Sequence, residues 1–90
     1  MYLHLGQDTV VRLDEVVGIF DMDNATISRH TRHFLADAEK GGRVVNVSAE
    51  LPKSFVVCRD RDEEERVYIS QISSATLRKR AGFVEDISNI

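Results

Sequence analysis

The chain has 90 residues, 42% hydrophobic and 30% charged, the composition of one soluble globular domain and not of a disordered chain, a fibre or a membrane span. No second domain fits, and a chain this short builds one modest core, so assembly with copies of itself would add useful burial. A net charge of −3 argues against a protein that coats nucleic acid indiscriminately, but it leaves room for a local basic patch.

In chain order, Tyr2 to Leu5 and Thr9 to Leu13 are short alternating runs joined by Gly6-Gln7-Asp8, which predicts a hairpin. No basic segment followed by an apolar stretch opens the chain, and no apolar run approaches the roughly 18 residues that cross a bilayer, so a cytoplasmic protein without membrane contact is expected. The nearly all-apolar run Val16 to Phe20 predicts a central strand buried on both faces, with Gly18 marking a bulge. Asp23, Asn24 and Thr26 supply capping side chains for a helix in which Ile27, Thr31, Phe34, Leu35 and Ala38 share one face. Arg29, Arg32 and His33 line the opposite face, and Gly41-Gly42 ends the helix.

From Gly42 to Val57, two apolar runs flank the chain's single proline, Pro52, and read as two strands around an exposed loop with Lys53 at or beside its tip. Phe55 to Cys58 and Arg66 to Ser70 predict a further hairpin across the charged turn 59–65, and the lone cysteine, Cys58, falls inside a strand as a buried thiol suited to a reducing compartment. Ser73 or Ser74 caps a last helix, Ala75 to Ala81, bearing Arg78, Lys79 and Arg80 and closed by Gly82. The expected fold is α+β, in the order β-β-β-α-β-β-β-α with mostly antiparallel pairing: a single domain over 1–82 and a short acidic tail over 83–90.

Catalytic chemistry finds little footing. His30 and His33 are three apart on a helix with His4 elsewhere, short of the three or four converging ligands of a transition-metal site. Asp60, Asp62 and Glu64 alternate like calcium ligands but lack the glycine and the bidentate glutamate of an EF-hand loop. No glycine-rich elbow surrounds a serine, and neither a phosphate loop nor a dinucleotide fingerprint is present. The expectation is a binding protein with no cofactor and no metal. What remains is basic: Arg29 and Arg32 on the first helix, Arg43 and Lys53 around the central strands, and Arg78 to Arg80 on the last helix. Brought together on one face, or repeated around a ring of copies, such residues neutralise duplex phosphates.

Met1 to Gly6, the run Asp14 to Asp21, the segment Pro52 to Val56 and especially Tyr68-Ile69-Ser70-Gln71-Ile72-Ser73-Ser74-Ala75-Thr76-Leu77-Arg78-Lys79-Arg80-Ala81 resemble the small bacterial extracellular-matrix regulators RemA and RemB, the RemB branch more closely. The resemblance covers Met1 to Ala81 in unbroken order. It implies a DNA-binding transcriptional regulator of biofilm matrix genes in Gram-positive bacteria, a fold related to LytTR-type DNA-binding domains and a ring-shaped homo-oligomer. It also brings in Arg80, which falls where both branches carry an arginine, beside Lys53, Arg43, Arg29 and Arg32 as candidate nucleic-acid contacts. Two departures stand out: Glu15 replaces an arginine of the RemA branch, and Glu50-Leu51-Pro52-Lys53 replaces an arginine-rich loop. They leave an alternative reading, an adaptor that binds a protein partner, such as a RemA-like relative, through an exposed strand edge or the Leu51-Pro52 loop.

Overall fold

The computed structural model describes residues 1–22 and 28–82. Its elements are β1 (Tyr2–Gly6), β2 (Thr9–Arg12), β3 (Val16–Asp21), α1 (Arg29–Lys40), β4 (Val44–Asn46), β5 (Ser54–Arg59), β6 (Glu65–Ser70) and α2 (Ser74–Ala81), with a 3-10 turn at Leu13–Glu15. This is an α+β fold with the expected element order. No helix among the described residues is long and apolar enough to cross a membrane.

The first hairpin forms as its alternation predicts. Leu3, Leu5 and Val11 are buried while Tyr2, His4, Val10 and Arg12 face outward, and the turn uses positive φ at Gly6 (117°) and Gln7 (48°). The other four strands make a second sheet in the order β3-β5-β6-β4, antiparallel except for β4 and β6, which run parallel.

Two expectations are corrected here. The Gly42–Val57 segment is not a hairpin, because β4 and β5 lie on opposite sides of β6. Residues 47–53 instead cross the end of β6, held where the Val47 N–H donates to the Ile69 carbonyl and the Lys53 N–H to the Ser70 carbonyl, both at 2.9 Å. Pro52, with no N–H to offer, sits in that crossover. Nor is Val16–Asp21 central: β3 is an edge strand, with Val17 58% and Phe20 43% exposed. The strand buried on both faces is β5, where Ser54 to Cys58 are all buried. The bulge at Gly18 is present as a register shift between Val16 and Gly18, and a Cβ at Gly18 would run into the Phe20 ring at 2.6 Å.

The sheet carries a core on each face. On one, Ile19, Val56 and Cys58 pack with Leu3, Leu5 and Val11 of the hairpin and with Leu77 of α2. On the other, Phe55, Val57 and Val67 receive Ala38 of α1, backed by Phe34 and Leu35. The alternation of β5 and β6 sends successive side chains to the two cores. Buried Ser70 ties hairpin to sheet, its hydroxyl donating to the Leu5 carbonyl at 2.8 Å and accepting from the Ile72 N–H at 3.0 Å.

Both helices are capped by serine. The Ser28 Oγ accepts the Thr31 N–H and the Ser73 Oγ accepts the Thr76 N–H. The cap of α1 is therefore Ser28, downstream of the expected Asp23, Asn24 and Thr26; those three and Ile27 lie outside the described residues. Thr31, Phe34, Leu35 and Ala38 form the inward face as expected. Gly42 (φ 72°) and Gly82 (φ 83°) lead the chain out of the two helices in left-handed conformations that favour glycine.

Candidate nucleic-acid interface

The chain has 12 lysines and arginines, and the structure sorts them by partner. Arg12 pairs with Asp14 (2.8 Å) and Glu15 (3.8 Å), Arg43 and Arg59 share Glu65 (3.8 and 3.5 Å), and Arg66 approaches Glu64 at 3.9 Å. Two more serve the fold: Arg78 donates to the Ile19 carbonyl at 2.7 Å and Arg80 to the His4 carbonyl at 3.3 Å. Arg29, Arg32, Lys40, Lys53, Arg61 and Lys79 are exposed and form no ion pair among the described residues. A cation without a carboxylate neighbour offers its full charge to an incoming phosphate.

Of the expected contacts, Arg29 and Arg32 lie together in the first turn of α1, on its solvent side, three residues apart and so adjacent in space. Lys53 lies apart from them on the crossover, exposed at the start of β5, its carbonyl accepting the Met22 N–H at 2.9 Å. Arg43 stands at the start of β4, beside Val67, whereas Lys53 is beside Ser70, a separation of three residues or about 10 Å along β6. The structure thus joins Arg29 with Arg32, sets Lys53 at one end of the sheet, and gives Arg43 and Arg80 intramolecular partners. The field around Lys53 is mixed, since Glu50 lies three residues upstream and Asp21 opposite Ser54.

The acidic groups concentrate elsewhere. Asp60, Asp62, Glu63 and Glu64 form the β5–β6 turn, where the Asp60 Oδ1 accepts the N–H groups of Asp62 (2.9 Å) and Glu64 (3.0 Å). A cleft of about 720 Å³ at this end, bordered by Gly41, Arg43, Arg59 and Glu63, is polar and internally ion-paired. Glu15 is half-buried and turned toward Arg12. The hydrogen bond from Arg12 holds the Asp14 carboxyl below the usual carboxylate range. Burial, helped by the Glu15 charge, pushes the Cys58 thiol up to about 11.

One feature escapes the sequence reading. Between α1 and the edge strand β3 lies a mostly apolar groove of about 360 Å³, lined by Val17, Phe20, Phe34 and Val57, with His30 and Glu65 as its titratable residues. Its signal was present in Val17 and Phe20, but an apolar edge strand and an apolar central strand look alike in sequence.

The sequence matches the RemA-like family, described as Extracellular matrix regulatory protein A-like, over residues 2–81. It is also 39% identical over 89 residues to Extracellular matrix regulatory protein B of Bacillus subtilis (strain 168), an alignment covering 99% of this chain and 100% of that protein.

Proposed function

The chain belongs to the RemA-like family of extracellular matrix regulatory proteins, and we propose on that footing that it is a cytoplasmic transcriptional regulator that binds duplex DNA as a homo-oligomer. The observation that carries this reading is the sorting of the cations: Arg29, Arg32 and Lys53 are exposed and unpaired among the described residues, while Arg12, Arg43, Arg59 and Arg66 are each held by a carboxylate. A protein of net charge −3 that keeps such cations free has them available for phosphate. Arg29, Arg32 and Lys53 are the phosphate contacts; Arg43 and Arg80 act on the fold. Three cations per copy bind weakly, so repetition around an assembly supplies the affinity. Exposed Tyr2, Val10 and Val17 provide apolar surface for it. The reading includes biofilm matrix genes of a Gram-positive bacterium as targets, and binding without catalysis.

The test is fluorescence anisotropy of labelled promoter-length duplex titrated with the purified protein at about 50 and 200 mM salt, a span over which phosphate-driven binding weakens steeply. Binding that falls with salt supports the reading; no binding at the lower salt sinks it. A second reading, an adaptor for a protein partner, draws on the groove beside β3 and on Leu51, which is 75% exposed on the crossover. For that reading, a RemA-like relative titrated against the protein binds in the absence of DNA, and Val17→Glu or Leu51→Glu abolishes the complex.

A further inference from the structure

Helix α2 packs against two strands, β3 of the larger sheet and β1 of the hairpin. The direction of the peptide groups in both strands follows from their pairing. In the larger sheet the Met22 N–H donates to the Lys53 carbonyl at 2.9 Å, and bonded pairs alternate along an antiparallel ladder. Gly18 and Phe20 therefore bond to β5, and the Ile19 N–H and carbonyl point out of the sheet at its edge. In the hairpin the Leu13 N–H on the Met1 carbonyl, also at 2.9 Å, sets the same count and turns the His4 groups away from β2.

Both outward carbonyls are taken by arginines of α2. The Arg78 Nη2 donates to the Ile19 carbonyl at 2.7 Å and the Arg80 Nη1 to the His4 carbonyl at 3.3 Å. Residues two apart stand about 200° apart around a helix, so a single helix serves a strand on each side. An added strand would bring its own N–H to about 2.9 Å from such a carbonyl and its axis to about 4.8 Å from the edge. The Arg78 guanidinium already holds that place. Cover matters most at β3, where Val16 to Phe20 carries no charged side chain and leaves Val17 and Phe20 exposed, the pattern that templates pairing between chains. The opposite edge, β4, is three residues long and needs less of it.

We propose that Arg78 and Arg80 guard the edges of β3 and β1, barring a second copy of the chain from adding a strand there. Arg78 is the stronger guard, with the shorter and part-buried bond. Assembly or partner binding at β3 then uses side chains such as Val17 and Phe20 and not a continuous sheet. The inference does not depend on DNA binding.

The test is amide hydrogen exchange of the whole chain over a range of protein concentrations, alongside urea unfolding. In Arg78→Ala, protection of the Ile19 N–H should rise with concentration, with association about ten- to a hundredfold tighter than in the wild type, the worth of one hydrogen bond to a charged group. Adding Val17→Lys puts a charge on the same edge and should abolish that rise, while the urea midpoint stays where Arg78→Ala set it. Ile19 protection in Arg78→Ala that matches the wild type at every concentration overturns the proposal. So does a rise that survives Val17→Lys, since association would then come from partial unfolding and not from the β3 edge. Should Arg78→Ala not fold, Arg80→Ala, a change at an exposed residue, decides: His4 N–H protection that rises with concentration supports the proposal, and no rise overturns it.

Discussion

Neutralising Arg29, Arg32 and Lys53 tests the sorting of cations directly, because the structure separates residues that carry free charge from residues of the same type that do not. Each phosphate neutralised on duplex DNA contributes about −0.9 to the slope of log affinity against log salt. Three contacts per engaged copy give a slope of about −2.7, which over a fourfold rise in salt is about a fortyfold loss of affinity for each copy on the duplex. Arg29→Gln, Arg32→Gln and Lys53→Gln should each reduce the slope by about 0.9 per engaged copy. Arg43→Gln is the control. Its guanidinium is committed to Glu65, which keeps Arg59 as a second partner, so the slope should stay at the wild-type value. The assay is anisotropy across at least four salt concentrations, with light scattering to establish that each variant keeps the wild-type assembly. A triple Gln variant with an unaltered slope, or an Arg43→Gln slope that falls as far as that of Lys53→Gln, refutes the reasoning.

Two further outcomes follow from the buried side of the sheet. Ser70→Ala removes a donor to the Leu5 carbonyl and an acceptor for the Ile72 N–H, leaving buried groups without their partner, and should cost about 1 to 3 kcal/mol in urea unfolding; a loss below about 0.5 kcal/mol would show that the hairpin is not tied to the sheet in this way. Cys58, whose thiol is raised from 9.0 to about 11, should hold about a hundredfold less thiolate at pH 8 than in the unfolded chain. Its reaction with an aromatic disulfide reagent should be slower by at least that factor, and near-denatured rates would contradict the burial. The linkage has a sign. Above pH 9 the unfolded chain releases this proton while the folded chain retains it, so the Cys58 contribution falls as pH rises from about 9 to about 11.

What the sequence made legible was local. The Gly6-Gln7 turn, the serine and glycine at the ends of α2, the bulge at Gly18 and the inward face of α1 all follow from chemistry within a few residues. Partner choice was not legible. The alternation of Val44 to Val47 states which side chains share a face, yet it is silent on whether the neighbour is β5 across a loop or β6 in parallel. The same limit hid the roles of the cations. Helical spacing was enough to pair Arg29 with Arg32, but Arg43 meets Glu65 and Arg80 meets the His4 carbonyl only because strands and helices distant in sequence converge. Val16–Phe20 reads as a central strand, although it is an edge, for a related reason. Its apolar run is satisfied by the hairpin-side core on one face and left open to a groove on the other.

The separation of charge along the sheet bears on Glu15, whose carboxylate opposes phosphate wherever it faces DNA. Val16 pairs with Cys58 at the end of β5 that carries the acidic turn, so Glu15 belongs to the pole of Asp60, Asp62, Glu63 and Glu64. Lys53 precedes the opposite end of β5, about 20 Å away at roughly 3.3 Å per residue. The last turn of α1 also comes to the acidic pole, where Gly41 and Glu63 border one cleft, and the axial rise of the helix puts Arg29 about 18 Å back from it. At physiological salt the Debye length is about 8 Å, so the acidic pole is largely screened from a duplex approaching Lys53 or the first turn of α1. Such a duplex meets the free cations of Arg29, Arg32 and Lys53 with Glu15 turned away and engaged by Arg12. The same geometry makes approach at the β5–β6 turn unfavourable, since four carboxylates there outnumber the one unpaired cation of that turn, Arg61.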